Sequence, residues 1–149
     1  ISIVLKRYNT SLDPPTLNEL FKQEQVAGFI NGDVDWKAVN RLTYGQGAVL
    51  FVNTKSIEKV VYDKNGKFDA VNSVPMPKEI LDDFLNKCMP VIASVVNPST
   101  DNLHWVVVTA KDGGDYIIND PGYRTRTRLS FYGDIYGIRV YKDNLGGCQ

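Results

Sequence analysis

The 149-residue chain carries 17 basic and 17 acidic residues and a single histidine. It is formally neutral, so neither nucleic-acid phosphate nor an anionic membrane is an expected partner. Its length suits one domain that buries about 68–70 % of its unfolded surface and needs no disulfide or metal to fold, and its longest uncharged apolar stretch falls short of the roughly 18 residues of a membrane span.

The chain opens without Met, and Ile1-Ser2-Ile3-Val4-Leu5-Lys6-Arg7-Tyr8 reads as the middle of an amphipathic helix with no capping residue ahead of it. The expectation is a piece of a longer chain or assembly, whose unseen start would hide any signal peptide. Asn9 to Pro15 is a polar, proline-bearing loop, and Thr16-Leu17-Asn18-Glu19 fits a capping box that starts a second helix running to about Gln25. Gly28 to Asp33 is a loop, and residues 34–42 read as a short helix with Trp36, Val39 and Leu42 inward.

Ala48 to Val52 is an apolar strand, and Asp63-Lys64-Asn65-Gly66 is hairpin-turn chemistry between Ile57–Tyr62 and Lys67–Val71. Pro77 suits a first helical position, with Ile80, Leu81, Phe84, Leu85 and Cys88 on one apolar face of the helix that follows. Pro90 ends that helix, and Val91 to Val96 is a nearly continuous apolar run, the pattern of a strand covered on both faces. Strands follow from His104 and over Tyr116 to Asn119, then an Arg124-Thr125-Arg126-Thr127-Arg128 alternation, then a last strand near Ile138 to Lys142. Helices dominate the first part and antiparallel strands the last, so the fold class is α+β, with N-terminal helices packed on a C-terminal antiparallel sheet.

His104 and Asp120 are the residues from which chemistry can be argued. Lys111-Asp112-Gly113-Gly114 is turn chemistry between two β-rich stretches, so a hairpin pairs residues whose numbers sum to about 225, give or take two. His104 then lies roughly opposite Asp120, with Cβ atoms about 5 Å apart. A carboxylate there can hold one imidazole nitrogen and leave the other to deprotonate a nucleophile. Taken alone, a lone His at the end of a core strand and a lone Asp at the start of a turn are more often structural than chemical.

The surrounding order of motifs changes that balance. The strand Pro90 to Val96, then His104-Trp105-Val106-Val107-Val108, then Asn119-Asp120-Pro121-Gly122 resembles the bacteriocin-processing-peptidase-like cysteine peptidases, papain-fold relatives of the proteases that cut double-glycine leader peptides (family 39-like of clan CA). Asp13-Pro14-Pro15-Thr16-Leu17-Asn18 and Gly32-Asp33-Val34-Asp35-Trp36 are similar to further stretches of that family, so the resemblance spans about residues 1–142, except 53–75. It implies a papain-like peptidase domain over 1–142 and a tail or linker over 143–149. It also implies catalytic roles for His104 as the base and Asp120 as its orienting acid. In that family the nucleophilic cysteine starts the first helix, a few residues before the position of Ile1, with an oxyanion-stabilising glutamine further upstream. Neither is in this sequence, so the chain on its own is expected to be inert, because without a thiolate the imidazole has nothing to activate.

Neither cysteine present is expected to replace it. Cys88 is read as a buried thiol on a helix face, where burial disfavours the thiolate, and Cys148 follows Gly146-Gly147 in a tail. Spacing alone does not pair the two or decide the redox compartment. Trp105 is read as core rather than cleft wall, the Arg124, Arg126, Arg128 face as a charged edge strand that discourages aggregation, and Asp33 with Asp35 as too few ligands for calcium.

Together these readings give an expected function: hydrolysis of peptide bonds in a peptide or protein substrate, with no cofactor and no metal, once an upstream cysteine is joined. Two alternatives stand beside it. One is a catalytically dead papain-like binding or structural module of a larger surface or virion protein; the other is a peptidase of peptidoglycan cross-links, acting on cell-wall peptide. A secreted, cell-surface or virion-associated setting fits all three.

Overall fold

The computed structural model describes residues 13–143 apart from 25, 32, 39, 40, 42–48 and 54–57. The expected opening helix and the 144–149 tail with Cys148 lie outside the described residues. The chain is α+β, with helices, two sheets and a short 3-10 turn among the described residues. It divides into two compact units: one holds the described residues up to Val52 and from Tyr141 onward, the other Asn53–Val140.

In the first unit, α1 is Pro14–Lys22. Asp13 caps it by accepting a hydrogen bond from the Thr16 backbone N–H at 2.8 Å, and Pro14 and Pro15 occupy first-turn positions whose amide hydrogens would have no intrahelical partner anyway. The expected capping box at Thr16 is therefore corrected: the cap lies three residues earlier, and Glu19 pairs with Lys22 at 2.8 Å instead of reaching back. Leu17 and Phe21, four apart, are the buried stripe. The stretch expected as a plain loop holds a small ladder, β1 (Phe29–Ile30) antiparallel to β2 (Asp33–Val34), with Phe29 edge-on to Phe21 at 5.7 Å. Of the expected inward residues of 34–42, Trp36 is half-buried and its carbonyl accepts from the Tyr141 hydroxyl at 2.6 Å; Val39 and Leu42 lie outside the described residues. Arg41 clips this region together through the Val26 and Ala27 carbonyls and the Asp35 carboxylate.

β3 (Val49–Asn53) follows, as its apolar run leads one to expect. In the second unit, residues 58–76 form a hairpin-like excursion with isolated antiparallel bridges at Lys59–Val74 and Tyr62–Phe68, and Met76 bridges Ile135. Its turn has the expected chemistry: the Asp63 carboxylate accepts from the Asn65 and Lys67 amides. α2 is shorter than expected, Ile80–Leu85, because Pro77 sits in a preceding turn and the chain leaves the helix at Asn86. Leu81 alone of its apolar face is fully buried.

β4 (Val91–Val96), β5 (Leu103–Asp112), β6 (Asp115–Asn119) and β7 (Ile135–Asp143) complete a five-stranded sheet in the order β3-β7-β4-β5-β6. The β4–β5, β4–β7 and β5–β6 pairs are antiparallel. β4 is central and buried over Val91–Val95, which is why it reads as a continuous apolar run rather than an alternation. Gly113 has φ +60°, the positive value a two-residue hairpin loop needs, and paired residues of β5 and β6 sum to 226 or 227. The arginine alternation is not a strand: Arg128 makes one bridge to Ile117 and an ion pair with Asp112 at 2.6 Å, while Arg126 turns elsewhere, so the three do not share an exposed edge.

A candidate active site around His104 and Asp120

β5 places His104 on the same face as the buried Val106 and Val108, and the alternation of β6 puts Tyr116, Ile118 and Asp120 on its buried side. Val108 faces Ile118 directly, so the two apolar rows align and their polar ends converge. His104 Nε2 lies 2.8 Å from Asp120 Oδ1. The structure thus brings together the two site residues that the sequence singles out.

The carboxylate is wholly enclosed, while the imidazole keeps 20 % of its side-chain surface in solvent. Asp120 Oδ1 also accepts from the Gly122 amide at 2.8 Å and the Tyr123 amide at 3.0 Å, in the Asx-type turn that Pro121 and Gly122 form after the strand. Its Oδ2 accepts from the Tyr132 hydroxyl. Burial by itself pushes the carboxyl up, but the hydrogen bonds from Tyr132, His104 and the Gly122 amide outweigh it and hold Asp120 below the ordinary 3.8. The same contact works oppositely on the phenol: burial first, then the neighbouring carboxylate, raises Tyr132.

An ionised carboxylate only accepts, so Nε2 must carry the proton of this bond. Nδ1 is then the lone-pair nitrogen of the neutral ring, and it has no hydrogen-bond partner among the described residues. That leaves an oriented base aimed away from its acid. No Ser, Thr or Cys side chain among the described residues supplies a nucleophile to it.

Three aromatic and cationic residues complete the site without having been singled out for it. Tyr132 follows the 3-10 turn Leu129–Phe131 and bridges Asp120 to Arg126, whose Nη1 donates to the phenol oxygen at 3.0 Å. The Arg126 guanidinium lies 3.5 Å above the Tyr123 ring and 4.5 Å above that of Phe131. Tyr123 and Tyr132 flank the imidazole at ring distances of 6.0 and 5.9 Å, and Asn97 holds the Tyr123 hydroxyl at 3.0 Å. No local pattern announces Tyr132, because it sits in an irregular segment twelve residues beyond its partner.

Two expectations are corrected here. Cys88 is not a buried free thiol on a helix: it follows α2, has φ +56°, is half-buried and is disulfide-bonded. The chain holds one other cysteine, Cys148. Trp105 is half-buried rather than core, and it lies on the sheet face opposite to its neighbour His104, so it does not line this site. Among the described residues no group of three His, Cys, Asp or Glu side chains is arranged to hold a metal ion, and no helix is long and apolar enough to cross a membrane. In comparisons with protein-family models, curated proteins and solved structures, nothing matches the chain.

Proposed function

We propose that this chain is the base-bearing part of a papain-like cysteine peptidase, with the thiol contributed by a cysteine N-terminal to Ile1. The observation that carries the reading is the His104–Asp120 contact at 2.8 Å, made through Nε2 to a buried carboxylate and leaving Nδ1 open. In the reaction Nδ1 takes the thiol proton, the thiolate adds to the scissile carbonyl, and the resulting imidazolium returns the proton to the departing amine. A water, deprotonated by the same nitrogen, then releases the acyl group from sulfur. Asp120 keeps the ring in the required tautomer and stabilises the imidazolium, and the Tyr132 hydroxyl and the Gly122 amide keep Asp120 ionised.

The test uses the parent protein with the residues that precede Ile1. Alkylation by iodoacetamide across pH, read by mass spectrometry, should mark one upstream cysteine that reacts below the ordinary thiol range. His104→Ala should abolish hydrolysis of peptide substrates while leaving the protein folded. A parent sequence with neither Cys nor Ser ahead of Ile1, or an H104A variant that cleaves at the wild-type rate, overturns the reading.

A further inference from the structure

The other face of the same sheet carries a cavity whose lining shares no residue with the His104 site. Ser94 on β4 faces Trp105 on β5 and Gly137 on β7, so the central strand contributes a small polar side chain between a large aromatic and no side chain at all. That arithmetic leaves a cavity of about 220 Å³ above Ser94. β7 carries a bulge beside it, with Tyr136 the extra residue between the Ser94–Gly137 and Val95–Ile135 pairs. Bulges recur next to binding sites because they re-aim side chains.

The cavity's polar groups are unusual for a sheet face. Ser94 is 2 % exposed, and its hydroxyl has no hydrogen-bond partner among the described residues. A buried hydroxyl left unpaired is costly, and such exceptions call for a reason. Facing it, Glu58 reaches over from the 58–76 excursion to Arg139 in an ion pair of which each side chain is under a tenth exposed. Gly137 is what admits that carboxylate: a Cβ there would stand 2.8 Å from Glu58 Cδ. Arg139 in turn lies 5.3 Å from the Trp105 ring, Leu103 adds apolar wall, and the half-exposed Tyr62 stands at the rim.

We infer that this cavity binds a neutral, hydroxyl-rich ring: one pyranose unit of a saccharide. The two charges already satisfy each other, so an ionic guest would have to break a buried pair, and a neutral one is selected. Hydroxyl-binding groups stand both on the floor, at Ser94, and on the wall, at Glu58 and Arg139. A pyranose carries polar groups around its rim and apolar C–H faces for Trp105 and Leu103, whereas a flat base offers its polar atoms in one plane only. The volume is below the roughly 300–1,000 Å³ of sites for drug-sized ligands, which limits the guest to a single ring. Ser94 and Trp105 face away from His104, so the inference does not rest on the peptidase reading.

The test is saturation-transfer NMR on the intact chain with N-acetylglucosamine and methyl α-glucopyranoside, and with glucuronate and adenine as charged and flat competitors. A neutral pyranose should bind with a Kd of about 1–10 mM, as expected for so small a contact. Ser94→Val should weaken it about fivefold, the loss of one hydrogen bond. The same variant should melt no lower than the wild type, because it removes an unpaired buried hydroxyl, so a binding loss is not misfolding. His104→Ala should bind as the wild type does. Absence of saturable signal from either neutral sugar, tighter binding of glucuronate or adenine, or unchanged affinity in S94V overturns the proposal.

Discussion

Two buried carboxylates on opposite sides of one sheet satisfy themselves in different ways. Glu58 is matched by a full positive charge, Arg139, and the two close on each other. Asp120 is instead surrounded by donors that are neutral or only conditionally charged: two backbone amides, a phenol and an imidazole. The first arrangement cancels its charges and is structurally self-contained. The second keeps a negative charge under a ring that can take up a proton, and the ring, not the carboxylate, faces solvent. A buried ion pair can be swapped for apolar groups with little loss, whereas a carboxylate held by neutral donors leaves orphaned amides and hydroxyls when it goes.

The sharpest break of this contrast is at Glu58. Glu58→Ala leaves the Arg139 charge buried without its carboxylate and should cost about 3–5 kcal/mol in urea unfolding, whereas E58L combined with R139M should recover most of that loss. If the double variant is no more stable than the single one, the pair is not self-contained.

Asp120→Ala comes next, at about 2–3 kcal/mol, because His104, Tyr132 and two amides lose one acceptor together. The same group has a pH signature. Its carboxyl is held below 3.8 in the folded protein, so its stabilisation is fully present above that value and is lost as pH falls through the lowered one. Urea midpoints followed from about pH 6 to about pH 2 should therefore fall more steeply in the wild type than in D120N. Equal slopes would mean that the donors do not favour the charged form.

Tyr132→Phe removes one donor and should cost about 1 kcal/mol. Its more telling effect is on Asp120, whose carboxyl should titrate at higher pH by side-chain carbon NMR, a change that a purely steric role for the phenol would not produce. The smallest effect belongs to a pair outside both sites. Arg128→Ala, which breaks the exposed contact with Asp112, should shift stability by no more than about 0.5 kcal/mol.

Periodicity was legible wherever one face of an element is buried. The apolar run of β4, the hairpin register that brings His104 to Asp120, and the Asp63 turn all follow from local pattern, and the structure agrees with each. Local pattern misled where two local signals compete. Thr16 and Asp13 both suit a helix cap, and the prolines at 14 and 15 decide for Asp13 by fitting the first turn. The apolar spacing from Ile80 to Cys88 suits a helix of three turns, yet the helix stops at Leu85 and Cys88 takes a positive φ and a disulfide. Arg126 reads as one of three equivalent charges until the fold places Tyr123, Phe131 and Tyr132 around it.

The sequence alone determined the α+β class, the neutral charge balance and the pairing of His104 with Asp120, because these depend on composition, on the two-residue repeat of strands and on the geometry of a short hairpin. Only the tertiary structure decided what surrounds that pair and what lies behind it. Tyr132 reaches Asp120 from an irregular loop, and Glu58 reaches Arg139 from 81 residues away in sequence. Contacts of that kind leave no periodic trace in the chain, since they are set by how separate segments pack and not by the repeat of any one of them.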